Sequence, residues 1–147
     1  MSDGLSKRRL KLWIRLLGVT RAAEAELRDF LRKGHGTTLP RFDVLAALHR
    51  RSDPVTMGEL SRLLLVSNGN ATAVVDRLEA EGLVARHADP GDRRSVRVAL
   101  TEAGRGAFER LAAEHEAVVD RLFAPLDEAG IEAMTAELKR LQGGLRT

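Results

Sequence analysis

The sequence predicts a mainly α-helical chain with one small β-hairpin, an α+β arrangement in a single unit of 147 residues. Three observations predict it. Apolar residues recur at spacings of three and four over most of the chain, the period of a helix with one buried face. The stretch from Leu83 to Leu100 reads instead as two strands around the dense turn sequence Asp89-Pro90-Gly91-Asp92. No repeat or low-complexity linker separates the parts, and the length fits one domain over residues 1–147.

The first helix is expected over roughly Ser6 to Lys33, where Leu12, Leu16, Val19, Ala23, Leu27 and Phe30 share a face. A second stripe, Leu10, Trp13 or Ile14, and Leu17, lies beside it, so this helix needs cover on more than one side. Gly34-His35-Gly36 ends it, because glycine accepts the left-handed conformation common at helix C-termini. A shorter helix follows Pro40, turns Phe42, Val44, Leu45 and Leu48 inward, and stops near Ser52-Asp53-Pro54.

Thr56-Met57-Gly58-Glu59 has the spacing of a capping box, in which hydroxyl and carboxylate each satisfy an orphan backbone N–H. It opens a helix to about Leu65 with Leu60, Leu63 and Leu64 on its apolar side. Val66-Ser67-Asn68 offers a second N-cap, and the next helix runs from Gly69 or Asn70 to Glu81, closed by Gly82. Two short helices joined by a tight turn describe a helix-turn-helix.

The hairpin that follows turns this into the winged variant. Its first strand is Leu83-Val84-Ala85-Arg86-His87-Ala88, and its second alternates Val96, Val98 and Leu100 with Ser95, Arg97 and Ala99. Thr101-Glu102 then opens a helix carrying Phe108, Leu111, His115, Val118 and Leu122. Pro125 breaks it, Asp127 caps the last helix, and Ile131, Met134, Leu138 and Leu141 form that helix's stripe. The expected architecture is a winged helix-turn-helix over residues 40–100, with N- and C-terminal dimerisation helices at 5–34 and 102–145. A monomer of this size buries only about two-thirds of its unfolded surface. The terminal helices are therefore expected to interleave with a second copy in a two-fold homodimer, which would present two helix-turn-helix units to a palindromic DNA site.

Composition removes other classes. Lys and Arg total 24 against 21 Asp and Glu, a net charge of +3, so any cationic footprint is local. Cysteine is absent, which excludes disulfides, thiolate metal sites and thiol redox sensing. Aromatic residues are 3%, too few for a platform that stacks single-stranded bases. Lys11, Arg15 and Arg21 interrupt the N-terminal apolar stretch, so no targeting or membrane segment is expected and the protein is placed in the cytoplasm. His35, His49, His87 and His115 fall on separate elements without metal-ligand spacing, and Gly34-His35-Gly36 lacks the Lys and the preceding strand of a phosphate loop. An enzyme, a metal and a cofactor are not expected.

The helix from Gly69 sorts into two faces. Ala71, Val74, Val75 and Leu78 point to a core, while Asn70, Ala73 and Arg77 line the opposite side with Gly69, Thr72 and Asp76 flanking them. Asn can bond adenine in a bidentate way, and Thr or Ala can touch a thymine methyl. Arg77 stands further on, placed for a phosphate. The hairpin tip adds Asp92, Arg93 and Arg94, with Arg86 and Arg97 on its strands. An arginine there can enter a narrow minor groove. The expected DNA-binding residues are thus Ser67, Asn68, Asn70, Thr72, Ala73, Arg77, Asp92, Arg93 and Arg94. A non-specific architectural DNA-binding protein would share the basic wing, and would bind all sequences similarly where a regulator shows a large specificity ratio.

The run Asp76-Arg77-Leu78-Glu79-Ala80-Glu81-Gly82-Leu83-Val84, then Asp89-Pro90-Gly91-Asp92-Arg93-Arg94 and Val98-Ala99-Leu100-Thr101, resembles the MarR family of bacterial transcription regulators. The resemblance extends from about Leu5 to Leu141. It implies a homodimeric, sequence-specific regulator built on its first and last helices, most members being repressors released by a small ligand. It matches Asp92 and Arg94 to the family's wing Asp-x-Arg, the Arg reaching DNA and the Asp orienting it, and Arg77 to a backbone-contacting Arg. It also implies an effector crevice between the dimerisation helices and the winged domain. Candidate lining residues here are Trp13, Arg15, Leu17, Arg41, Phe42, Asp43 and His49. The segments around Trp13, Phe42 and Ser67 are similar to regulators of aromatic-acid catabolism, which ranks aromatic acids and acyl-CoA thioesters first as effectors.

Overall fold

The structure, a computed structural model, describes residues 2–64 and 68–145. Its elements are α1 (Ser2–His35), α2 (Leu39–His49), β1 (Val55–Thr56), α3 (Met57–Leu64), α4 (Asn68–Ala80), β2 (Val84–Asp89), β3 (Asp92–Leu100), α5 (Glu102–Leu122) and α6 (Glu128–Leu145). The core gathers Leu31 from α1, Phe42, Val44, Leu45 and Leu48 from α2, Leu60 from α3, Val75 and Leu78 from α4, Val84 and Val98 from the sheet, and Phe108 from α5. Each contributes one side of an amphipathic element, so the helical periods converge on a single interior.

Local chemistry sets the boundaries. Gly36 closes α1 with φ of 59°, and Gly82 follows α4 with φ of 78°, both in the left-handed region that a β-carbon disfavours. Thr38 caps α2 by accepting from the Arg41 N–H. The capping box of α3 forms as its spacing demands. The Glu59 N–H donates to Thr56 Oγ1 at 3.1 Å, and the Thr56 N–H donates to Glu59 Oε2 at 3.3 Å. Asp127 accepts from the Gly130 N–H at 2.8 Å and starts α6.

The sheet has the order β1-β3-β2, antiparallel throughout. Its first strand was not expected from sequence. β1 pairs Val55 with Val98 and Thr56 with Arg97, so the chain entering α3 is stitched to the middle of β3. β2 and β3 pair from Val84 opposite Leu100 to Ala88 opposite Val96. Val96, on the same face of the strand as buried Val98, is exposed, because it lies nearer the tip, where the hairpin extends beyond the core.

The two ends of the chain behave differently from the middle. The first half of α1 exposes Leu5, Leu10, Leu12, Trp13 and Ile14. No side chain of α6 is buried among the described residues, and Ile131, Met134, Leu138 and Leu141 stand in the open. A helix of 34 residues is about 51 Å long, much of it beyond the body of one chain.

Candidate nucleic-acid interface

Helix α4 is anchored by its apolar face. Ala71, Val75 and Leu78 are buried, and Val74 is half-buried. The opposite face carries Asn70, Ala73 and Arg77, all exposed, with Thr72 and Asp76 exposed beside them. The sorting into faces expected from the 3.6-residue period is the one observed. Ser67 lies outside the described residues, and Asn68 opens α4 without a described side chain.

The wing beside it is built on an irregularity. Ala88 pairs with Val96, but the next pair is Asp89 with Asp92, so Arg93, Arg94 and Ser95 fall in a slip of register on β3. Extra residues on one strand of a pair bend it and re-aim its side chains. Here they lift two arginines out of the ladder at the tip, where both are exposed. The contact expected between Asp92 and the Arg94 side chain takes another form. Asp92 Oδ1 accepts from the backbone N–H of Arg94 at 2.9 Å, so it fixes the chain path at the tip and leaves the guanidinium open.

The other two wing arginines are taken up inside the protein. Arg86 donates to Asp76 Oδ1 at 2.6 Å and to Glu79 Oε1 at 2.9 Å, both on α4. Arg97 donates to Asp89 Oδ2 at 3.1 Å and to the Pro54 carbonyl at 3.3 Å. The Gly91 N–H at 2.9 Å and then Arg97 hold the Asp89 carboxyl below its usual range. The cationic cluster read from sequence thus divides into Arg86 and Arg97, which brace the wing, and Arg93 and Arg94, whose guanidinium groups have no ion-pair partner among the described residues. Sequence could not make this division, since the partners of Arg86 and Arg97 are assigned only by folding.

The seven effector candidates are not gathered at one place within the chain. Trp13 and Arg15 are exposed on the outer half of α1, and Trp13 lies about 16 Å along the helix from Glu24, the first α1 residue to line a cavity under α2. Leu17 is half-buried. Phe42 and Asp43 line that cavity, of about 390 Å³, with Leu39, Arg50 and His115. Loss of solvent, and then Glu24, raise the Asp43 carboxyl above its usual range. Arg41 lies in a second cavity of about 390 Å³, with His35, Leu45, Glu81, Leu83 and Arg110. His49 pairs with Glu109 of α5 at 3.2 Å and packs on Phe108.

Arg41 is the most constrained of the seven. Its guanidinium bonds Glu81, just past the end of α4, while its Nε is buried with no hydrogen-bond partner among the described residues. Arg110, His35 and Glu114 complete the charge around it, with His35 Nε2 and Glu114 Oε2 3.0 Å apart. None of these three was singled out for such a site from the sequence, since they come from two helices far apart in the chain.

A helix whose polar face is open, set beside a wing with two uncommitted arginines, defines a winged helix-turn-helix DNA-binding protein. The MarR family's sequence profile matches residues 35–95. The chain is 31% identical over 137 residues to the HTH-type transcriptional regulator MhqR of Bacillus subtilis, covering 93% of each. Two solved regulators superpose with a TM-score of 0.83. BldR from Sulfolobus solfataricus is 26% identical, with 92% of this chain and 95% of that one covered. AbsC, a MarR family regulator from Streptomyces coelicolor, is 27% identical, with 93% of each covered. The chain belongs to the MarR family. It is a DNA-binding transcription regulator and not an enzyme.

Proposed function

We propose that the chain works as a homodimeric repressor that binds an inverted-repeat operator and is released by a small anionic effector, an aromatic acid or its CoA thioester. It would act in the cytoplasm, where the DNA is. The observation that carries this reading is the pairing of two surfaces on one chain. The face of Asn70, Ala73 and Arg77 is exposed, as are Arg93 and Arg94 on a wing tied to α4 through Arg86, and the apolar stripes of α1 and α6 remain uncovered. Burying one Leu or Ile side chain is worth about 1.5–3 kcal/mol, so the two stripes together favour a second copy strongly. The dimer would present two recognition helices, with α4 reading bases and the wing entering the adjacent minor groove.

The Arg41 cavity supports the effector. A volume of about 390 Å³ lies in the range of small-molecule sites and accepts an aromatic acid, or the acyl end of a thioester with the coenzyme outside. An anion there would compete with Glu81 for Arg41 and so loosen the end of the recognition helix. It weakens DNA binding only if it binds the released conformation more tightly.

Footprinting on fragments selected from the source genome tests the DNA reading. A protected inverted repeat with half-site centres about 34–36 Å apart is expected. A single unsymmetrical half-site, or uniform coating, overturns it.

A further inference from the structure

We propose that Arg86 is a positioning residue that ties the wing to the recognition helix and thereby sets where Arg93 and Arg94 stand relative to the bases under α4. The proposal rests on the reading of the wing as a DNA contact. Arg86 is the third residue of β2, opposite Val98. Its two guanidinium nitrogens go to different carboxylates, Asp76 at 2.6 Å and Glu79 at 2.9 Å, which lie one turn apart on α4. Its backbone N–H also donates to the second oxygen of Glu79 at 3.1 Å. Strand and helix are therefore held at three points by one residue.

The position explains what the tie controls. At Val84 the wing is still part of the core, and by His87 and Ala88 it is exposed. Arg86 joins β2 to α4, and His87 and Ala88 just beyond it are exposed, so the tie sits where the hairpin leaves the core. The other brace, Arg97, points to Asp89 and Pro54, away from α4. It stiffens the hairpin without setting its distance from the recognition helix. A guanidinium is a flat fork with several donors in fixed directions, whereas an ammonium is a single point of charge. Only Arg can span both carboxylates at once. Ion pairs as exposed as these add little to folding stability, so the tie does its work in orientation.

Asp76 and Glu79 also sit on the side of α4 where phosphates would approach, and Arg86 covers their charge. Screening alone is the competing account, and the test separates it. Operator affinity is measured over a salt series for the parent, R86M, R86K and each of these combined with R94A, alongside thermal unfolding and amide hydrogen exchange. R86M is expected to keep the parent's dimer and thermal midpoint while losing roughly tenfold in affinity. R94A is expected to cost roughly tenfold in the parent and under about twofold in R86M, because a wing that is not held gains little from its tip. R86K is expected to fall between. Exchange should quicken over residues 84–95 in R86M and stay unchanged at Val75 and Leu78.

Equal cost of R94A in both backgrounds, or parental behaviour of R86K, overturns the positioning role; the second result leaves only screening. If R94A has no effect in the parent, the wing is not a DNA contact, and the exchange data decide the tie by themselves. Unchanged protection of residues 84–95 in R86M then overturns it. Should R86M fail to fold, Glu79→Gln, which removes one arm of the fork at constant size, is carried through the same cycle with the same criteria.

Discussion

A β-carbon on Gly104 would lie 1.9 Å from the carbonyl oxygen of Leu83. Helix α5 thus meets the turn between α4 and β2 backbone to backbone. Thr101 completes the joint. Its N–H donates to the Leu83 carbonyl at 3.1 Å, its hydroxyl donates to the Gly82 carbonyl at 2.7 Å, and the same oxygen accepts from the Gly104 N–H at 3.0 Å. The recognition helix and the helix that leads to the C-terminal end share one rigid corner.

Gly104→Ala is expected to force that corner apart. The neighbour is backbone and cannot rotate away, so a destabilisation of roughly 1–3 kcal/mol, the usual cost of overpacking, is expected in denaturant unfolding. An unchanged midpoint would show that the two backbones have room to separate.

Arg94→Ala should leave folding intact, because the tip adds nothing to the core. Operator affinity should fall by roughly 1–3 kcal/mol, taking a base-edge contact as the guide. The slope of affinity against salt should become shallower by about one. Asn70→Ala should lose discrimination among sequences with nearly the same slope. Parental affinity of Arg94→Ala across the whole salt series would remove the wing from the interface.

Arg41→Ala, which gives up the Glu81 bond that an effector would compete for, should bind operator more weakly than the parent and respond poorly to effector. A panel of benzoates, hydroxycinnamates and their CoA thioesters, titrated against the protein–operator complex, reads this out. A charge-assisted hydrogen bond contributes about 1.5–3 kcal/mol, so the concentration for release should rise roughly tenfold to a hundredfold. Release of the parent by no member removes the effector class. A parental response of Arg41→Ala moves the site elsewhere.

His115 gives stability a pH dependence of definite sign. Its ring stacks on Phe42 with centroids 4.1 Å apart, and burial lowers its pKa from the usual 6.5. Below pH 6.5 the unfolded chain takes up a proton there that the folded chain resists, so its contribution is full above that pH and is lost as the pH falls toward the folded value. His115→Gln should narrow the gap in thermal midpoint between pH 7.5 and pH 5.5. An unchanged gap would assign the dependence to other groups.

What could be read from the sequence was local. The Thr56–Glu59 box has both partners within three residues, and the inward set of α2 repeats at helical spacing, so each announces itself without knowledge of the fold. The strand Val55–Thr56 does not, since two residues have no period and their partner Val98 is far along the chain. The same holds for the division among the wing arginines, for the Arg41 cavity and for Gly104, whose requirement comes from a carbonyl 21 residues earlier. Ala71, Val75 and Leu78 were legible as a face; what that face presents Asn70 and Arg77 beside was not.

The slip of register at the wing tip also bears on how these molecules avoid one another. A strand with an unpaired edge is a template for a strand from elsewhere. β1 pairs with β3 at Arg97 and Val98, and among the described residues no strand pairs with the stretch from Asp92 to Val96 on that side. Regular pairing fails there, because the slip breaks the spacing of the backbone groups. A second wing approaching antiparallel would also set Arg93 and Arg94 against the same charges on its neighbour. The residues proposed to reach for DNA would therefore also oppose edge-to-edge pairing of free wings.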